Sequence, residues 1–237
     1  MTRPPQTLAS TPGSTPGTLG TTLAGAAVAP RASDQPARPS PAELGVGARL
    51  SLHPHRDDFV DVIVGALAGA RVRDVEVTTD DVSTFVRGTE DAVVRYLFDV
   101  LLAAVGAGGH LVAHVHLSRG CPGEVDCTLA DDSLLFSGDV PTLPASGVRA
   151  AAHWALYPLD DGGPGRTGDH MAAITAAIDA ARERVDVTSE HFVTRLDGDL
   201  ADVLSTVVAG WLGAGRSVRH VVTHATISLG SPSWDAR

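Results

Sequence analysis

The segment "HLVAHVHLSRGCPG" at residues 110–123 returns later in the chain as "HVVTHATISLGSPS" at residues 220–233. In both segments apolar and polar residues alternate, which predicts a β-strand with one buried face. The likeness extends upstream, because residues 74–123 align with residues 184–233 at a constant offset of 110 without a gap. Fourteen of these fifty pairs are identical. The chain therefore contains an internal repeat, and this repeat decides the fold.

Each copy predicts the same order of elements. A strand is followed by an amphipathic helix, two short β-branched runs that form a hairpin, a second helix and a final strand. In the first copy Asp57 and Asp58 are placed to cap the first helix, and Gly106 ends the second. The order βαββαβ is that of a ferredoxin-like unit. The sequence thus predicts an α+β protein built from tandem ferredoxin-like repeats.

The parts of the chain differ in composition. Residues 1–47 hold eight of the fifteen prolines and no aromatic residue, which predicts a disordered tail rich in Pro, Thr and Ser. The predicted organisation is a tail at 1–47, a first repeat at 48–123, a connector at 124–149, a second repeat at 150–233 and a short tail at 234–237.

Charge and apolar content exclude several classes of protein. The net charge is −10 and there is no basic patch, so we expect no nucleic-acid partner. No apolar run reaches the roughly 18–20 residues of a membrane span, so we expect no direct membrane insertion. Two cysteines do not make a disulfide framework. These features predict a protein of the cytoplasm.

Alternation along the last strand of each repeat predicts which residues the helices cover. The helix-facing residues would be Leu111, Ala113, Val115 and Leu117, matched in the second copy by Val221, Thr223, Ala225 and Ile227. The opposite rows would be His110, Val112, His114 and His116, matched by His220, Val222, His224 and Thr226. Two helices cover only one face of a four-stranded sheet. We therefore expect the open faces to cover each other, within the chain or in a homodimer.

Histidines and a cysteine in the first copy raise the possibility of a metal or nucleophile site. His114 and His116 share one face of a strand, and His110 or Cys121 could supply a third ligand. The second copy has Thr226 in place of His116 and Ser231 in place of Cys121. We therefore expect neither a metal site nor a catalytic residue, and predict that the protein is not an enzyme. A metal-dependent enzyme remains an alternative.

Polar residues that both copies keep are better candidates for a binding site. Thr84 and Thr194 each place a hydroxyl in an otherwise apolar strand row. A buried hydroxyl without a partner costs about 1–3 kcal/mol, so each must bond to nearby backbone or to a ligand. Pairs that match in this way are Thr78/Thr188, Thr84/Thr194, His110/His220, His114/His224 and Ser118/Ser228.

The motifs "LSLHPHRDDFVDVIVGAL", "VSTFVRGTEDAV", "LSRGCPG", "WALYPL" and "LDGDLADVLSTV" resemble those of the YkoF family of thiamine/hydroxymethylpyrimidine-binding proteins. The resemblance covers about residues 48–233. It implies two ACT-like repeats, a tight homodimer and one small-ligand pocket per repeat. In that family the pocket recognises the aminopyrimidine half of thiamine, for salvage or transport. The long tail and the insertion "GGPGRTG" at 162–168 are departures from the family.

This resemblance leads to a specific hypothesis about the site. The pocket of each repeat would lie between the loop after its first strand (53–59 and 157–170) and its third strand (83–86 and 193–196). The ligand-binding residues would be His53, Asp57, Asp58, Ser83, Thr84, His114 and Ser118 in the first repeat, and Tyr157, Asp169, Thr194, His224 and Ser228 in the second.

The predicted function follows from the same resemblance. The chain would bind thiamine or hydroxymethylpyrimidine, hold no cofactor apart from that ligand, and serve vitamin salvage. A transporter of a thiamine precursor is a candidate partner. The alternative is an ACT-like regulatory module that dimerises and binds an amino acid or another small metabolite.

Overall fold

The computed structural model of the chain describes residues 39–71, 74–120, 135–159 and 170–234. Several sequence-based predictions fall outside these ranges. They concern most of the tail, the start of the connector, Cys121, the insertion at 162–168 and Asp169.

The described residues form the elements that the repeat predicts, in the predicted order. The first repeat contains β1 (Gly47–Pro54), α1 (Phe59–Gly69), β2 (Val75–Thr79), β3 (Thr84–Gly88), α2 (Glu90–Gly106) and β4 (Leu111–Arg119). The second contains β5 (Arg149–Leu159), α3 (His170–Ala181), β6 (Asp186–Glu190), β7 (Val193–Asp199), α4 (Leu200–Ala214) and β8 (His220–Leu229). A single 3₁₀ turn follows at Pro232–Trp234. The prediction of an α+β fold with two ferredoxin-like repeats is confirmed.

The strands described here form one antiparallel sheet in the order β2-β3-β1-β4-β8-β5-β7-β6. Each half has the strand order of a ferredoxin-like unit, and the halves join where β4 pairs with β8. The pairing runs from Leu111 opposite Leu229 to Arg119 opposite Val221. Val115 lies opposite Ala225, its own counterpart in the repeat alignment, so the join has local two-fold symmetry.

The expectation that the two open faces cover each other within the chain is wrong. His114 lies opposite Thr226 and His116 lies opposite His224 in adjacent strands, so the predicted open rows share one face. Unpaired edge strands expose a row of N–H and C=O groups. Edge-to-edge pairing of β4 with β8 satisfies those groups and leaves one continuous face open. This result does not test the other expectation, in which a second copy of the chain covers the open face in a homodimer.

The predicted helix-facing rows are confirmed as core. Residues on β4 and β8 alternate strictly between buried and partly exposed positions, and Ala113, Leu117, Val221 and Ala225 have no exposed surface. Helix α4 is buried on almost all sides, since twelve of its fifteen residues are buried. By contrast, α3 buries only Ala181 fully. The helix layer is therefore anchored by α4 and is loosest at α3.

The folded part begins earlier than the predicted boundary at residue 47. Val46 is 2% exposed, and the carbonyl of Leu44 accepts a hydrogen bond from Gly120 N at 2.7 Å. Apolar residues just before β1 thus pack against the end of β4. The sequence did not indicate that Leu44 and Val46 belong to the folded part, because two apolar residues are too few to give a periodic pattern.

Asp199 begins helix α4 and also fixes the chain before β5. Its Oδ1 accepts hydrogen bonds from Ala201 N at 2.7 Å and Ser146 Oγ at 2.7 Å, and its Oδ2 accepts one from Gly147 N at 2.7 Å. Burial acts to raise the pKa of this carboxyl, but hydrogen bonds from Ser146, Ala201 and Gly147 outweigh it and lower the pKa overall. The charged carboxylate therefore ties three segments together.

Replacing Asp199 with Ala should destabilise the protein by about 1–2 kcal/mol, because the helix loses its N-cap. The measurement is the free energy of unfolding in denaturant. A carboxyl with a lowered pKa stabilises the fold above its ordinary value of 3.8, so the difference from wild type should vanish as pH falls below that value. The control is Asp202→Ala, which removes an exposed charge from the same first turn. Equal effects of the two substitutions would contradict this role.

Candidate functional site

The second repeat contains a cavity of about 350 Å³ beside β5. Strand β5 pairs with β7 only over 149–154, so its later residues leave a gap beside the sheet. Helix α3 and the turn between β6 and β7 border this gap. The cavity is lined by Trp154, Ala155, Leu156, Tyr157, Ile174, Ile178, Ser189, Glu190, Phe192, Val193 and Thr194.

Trp154 forms a rigid wall of this cavity. Its side chain is almost fully buried, and its Nε1 donates a hydrogen bond to Thr223 Oγ1 at 2.8 Å. Thr223 Oγ1 in turn donates to the carbonyl of Ala155 at 2.9 Å. Gly210 of α4 makes room for the indole, because a Cβ there would lie 2.4 Å from Trp154 Cζ2. The orientation of the ring is thus set by both its polar and its apolar contacts.

Two exposed aromatic residues stand at the mouth of the cavity. Phe192 is 99% exposed, and its backbone has a φ of 70°. For a bulky non-glycine residue that conformation is strained, and such strain is concentrated at ligand-binding sites. Tyr157, one of the predicted ligand-binding residues, is 49% exposed. Apolar rings left in water at a cavity mouth are placed to contact a ligand.

The polar groups of the cavity lie on the hairpin of β6 and β7. Ser189 and Thr194 are paired across this hairpin, so two hydroxyls stand side by side at the cavity wall. Glu190, the next residue of β6, also lines the cavity. Thr194 was predicted from the repeat, whereas Ser189 and Glu190 were not. An apolar enclosure with a few convergent polar groups is typical of small-molecule sites.

The first repeat has a related but different cavity of about 490 Å³. It is lined by Ile63, Val64, Leu67, Ala68, Val75, Val77, Thr79 and Tyr96. The predicted residue Thr84 is 4% exposed and does not line it; its Oγ1 lies 3.0 Å from Thr79 Oγ1. The buried hydroxyl therefore has a partner within the hairpin.

The repeat alignment shows how the two cavities differ. The positions of Trp154, Tyr157 and Phe192 are held in the first repeat by Leu50, His53 and Val82. Three aromatic walls in the second repeat thus correspond to two aliphatic residues and an imidazole in the first. None of these three residues lines the first cavity, where the aromatic residue is Tyr96 of α2.

The predicted carboxylates of the first repeat do not line its cavity. Asp58 forms an ion pair with Arg56, with Nε and Oδ1 2.5 Å apart, and Arg56 also donates to the carbonyls of Ala107 and Gly108. The hydrogen bond from Arg56 lowers the pKa of Asp58. Asp58 makes no side-chain cap bond to α1, so the capping prediction is wrong, and Asp57 is exposed. Arg56, two residues upstream, binds the carboxylate of Asp58 in place of the backbone N–H groups at the start of α1.

Ser83, also predicted to bind ligand, belongs to a turn network in the first repeat. Arg49 Nη1 donates to Ser83 Oγ at 3.1 Å and to Asp80 Oδ2 at 2.7 Å. Backbone N–H groups of Ser83 and Val82, with a smaller contribution from Arg49, lower the pKa of Asp80 to about 2. These bonds fix the turn between β2 and β3.

Five further predicted residues lie on the face of the sheet opposite the described helices, and none of them lines either cavity. The rings of His53 and His114 are 5.3 Å apart, and those of His114 and His224 are 5.7 Å apart. Ser228 Oγ lies 3.0 Å from His110 Nε2. The five residues are His53, His114, Ser118, His224 and Ser228. Strand alternation turns their side chains away from the helices, and their role in ligand binding stays a prediction.

The alternative of a metal site finds no support among the residues described. Within 39–71, 74–120, 135–159 and 170–234, no three His, Cys, Asp or Glu side chains converge to hold a metal ion. His114 Nδ1 instead lies 3.0 Å from Thr226 Oγ1. Cys121 is outside the described residues.

Fold and cavity together define a class of protein: a tandem ferredoxin-like chain with a small-molecule cavity beside the first strand of a repeat. A profile of the YKOF-related family matches residues 45–124 and 149–234. A protein of Bacillus subtilis (strain 168) named "Putative HMP/thiamine-binding protein YkoF" is 34% identical over 192 residues, covering 79% of this chain and 91% of that protein. The chain belongs to the YkoF family, which confirms the resemblance.

Sequence reasoning missed Trp154, Ser189, Glu190 and Phe192. A tryptophan in an apolar strand row is typical of core, and the sequence cannot show that a gap opens beside it. The available signal was the repeat itself. Leu50 and Val82 become Trp154 and Phe192 in the second copy, a change from aliphatic to aromatic at two positions that enclose one space.

Replacing Gly210 with Ala should destabilise the protein by about 1–3 kcal/mol, because the added Cβ overlaps the ring of Trp154. The matched control is Gly213→Ala in the same helix, where a Cβ meets nothing within 4 Å. That substitution should stabilise by up to about 1 kcal/mol through helix propensity. Free energies of unfolding test the pair. Stabilisation by both substitutions would show that Gly210 does not position Trp154.

Proposed function

We propose that this protein is a non-enzymatic binding protein for thiamine or its hydroxymethylpyrimidine moiety, and that the cavity of the second repeat holds the pyrimidine ring. The carrying observation is that the fixed indole of Trp154 and the paired residues Ser189 and Thr194 line one cavity. Membership of the YkoF family and the name of the Bacillus subtilis relative support the choice of ligand. A cavity of about 350 Å³ is within the range of small-molecule sites.

Each part of the ligand has a matching group in this cavity. The pyrimidine ring would stack on Trp154, while Thr194 and Ser189 would hydrogen-bond its ring nitrogens and exocyclic amine. Phe192 and Tyr157 would cover the exposed side of the ring. Glu190 would attract the positive charge of the thiazolium in thiamine, a charge that free hydroxymethylpyrimidine lacks. Glu190 would therefore strengthen the binding of thiamine but not that of free hydroxymethylpyrimidine.

Calorimetric titration with thiamine and with hydroxymethylpyrimidine tests this proposal. Thr194→Val should weaken both ligands by roughly 5- to 150-fold, the cost of leaving a ligand polar group unpaired. Glu190→Gln should weaken thiamine more than hydroxymethylpyrimidine, because only thiamine loses an ionic contact.

Thr188→Val is the matched control for this titration. Thr188 is exposed in the middle of β6, one residue from Ser189, and does not line the cavity. It should bind both ligands as wild type does. Absence of heat from either ligand at millimolar concentration would refute the proposed ligand.

A regulatory module is the second candidate, and the bare face of the sheet favours it. ACT-like modules act through association, and the face offers a surface for it. Thermal stabilisation by an amino acid, together with no response to thiamine, would favour this candidate. A salvage role in the cytoplasm and delivery of ligand to or from a transporter belong to the first proposal. No helix within the described ranges is long and apolar enough to cross a membrane.

We further propose that the protein is a homodimer in which the open sheet faces of the two copies pack against each other. The sheet is eight strands wide, which at about 4.8 Å per strand gives roughly 34 Å. Its central strands have 8 to 11 residues, or roughly 26–36 Å at about 3.3 Å per residue. The face thus offers roughly 900 Å² per copy, close to the about 800 Å² per partner of a standard interface.

A further inference from the structure

The four central strands of the open face have a distinctive composition. Strands β1, β4, β8 and β5 contain no Asp or Glu, although the chain has 28 acidic residues and a net charge of −10. Six of the ten histidines of the chain lie on the open side of these strands: His53, His114, His116, His153, His220 and His224. Exclusion of carboxylates and concentration of imidazoles on one surface is the feature to be explained.

These histidines lie close enough to influence one another. The rings of His114 and His224 are stacked with an interplanar angle of 1°, and His53 meets His114 edge-on. His116 lies directly opposite His224 across the β4–β8 pairing. Protonation of one ring therefore opposes protonation of the next.

Within the described ranges, no carboxylate lies opposite His114, His116 or His224 to act as a counter-ion. The side chains that face these histidines from the neighbouring strands are Arg49 and His53 of β1, His220 of β8, and Arg149, His153 and Tyr157 of β5. Carboxylates on this face belong to the outer strands of the described sheet. There Glu76 pairs with Arg87, and Asp197 pairs with Arg149 and Arg195. Arg49 is paired with Asp80 and Arg149 with Asp197, so the centre of the face gains uncompensated positive charge only when the imidazoles are protonated.

We propose that the central histidines make self-association through this face conditional on their neutral form. The inference rests on the homodimer proposed above and adds its regulation. Two copies related by a two-fold axis present the same carboxylate-free surface to each other. A neutral imidazole can be covered when it hydrogen-bonds to a hydroxyl, as His114 does with Thr226. Protonated imidazoles would place like charges against like charges with no carboxylate between them.

Local electrostatics agree with this geometry. Burial lowers the pKa of His114, His116 and His224, and neighbouring histidines lower those of His114 and His224 further. Cover by a second copy removes more water and favours the neutral form more strongly. Because the pKa of these imidazoles is already lowered in the free chain and cover lowers it further, the covered state is stable near neutral pH and is lost as pH falls below the ordinary value of 6.5.

Sedimentation equilibrium of the full chain at pH 7.5 and pH 5.5, at constant ionic strength, tests the inference across the range in which histidine titrates. The dimer dissociation constant should rise by about 100-fold or more, because each linked proton contributes up to tenfold per pH unit. An unchanged dissociation constant would refute the role of the histidines and leave the dimer standing. A monomer at pH 7.5 would instead refute the dimer itself.

Two variants separate the histidines from a general effect of acid. The triple substitution His114→Gln, His116→Gln and His224→Gln should dimerise at both pH values, because glutamine stays neutral. The matched control is His170→Gln with His191→Gln, two exposed histidines away from the open face, which should keep the full pH dependence. Retention of that dependence in the triple variant would overturn the inference.

A permanent charge tests the same inference without acid. His116→Arg should be monomeric at pH 7.5 while its circular dichroism spectrum stays native, because His116 is exposed on the free protein. Wild-type dimerisation of this variant would show that charge at the centre of the face does not oppose association.

Discussion

Backbone hydrogen bonding between β4 and β8 is the constraint on which the arrangement of this protein depends. It joins the fourth strands of the two repeats in one register, with Val115 opposite Ala225. Because the register preserves strand alternation across the join, the helix-facing rows of both repeats lie on the same side. All the helices of the described ranges therefore lie on one face of the sheet, and the other face carries none of them. Both the cavities under the helices and the histidine surface follow from that division.

Within this frame, the second repeat has become the more specialised half. Trp154 takes space that Gly210 leaves in α4, and its indole is fixed by Thr223. The first repeat has Leu50, Val100 and Ala113 at the matching positions, so its core is filled by aliphatic side chains instead. The change from leucine to tryptophan in β5 is thus accompanied by matching changes in α4 and β8. The site is built from the core outward and not from its loops.

Side-chain patterns predicted the elements well because those patterns record burial. The alternation in β4 and β8 gave the covered and open rows correctly, and the repeat identified Thr194. The join between β4 and β8 could not be predicted, since it is made by backbone groups that every residue carries. Asp58 was misjudged for a different reason: cap and ion pair compete for one carboxylate, and only geometry shows that Arg56 wins. Trp154 was missed because a wall of a cavity and a core residue have the same sequence signal.

The local two-fold symmetry at Val115 and Ala225 has a consequence for the origin of the chain. A single-repeat protein that paired its fourth strand with that of a second molecule would have the same join, with each residue facing its own equivalent. Duplication and fusion of such a gene would then preserve the sheet, and the two halves would no longer need to have the same sequence. Substitutions such as Leu to Trp could accumulate in one half alone. The fused chain can thus keep one symmetric framework and two cavities with separate evolutionary histories.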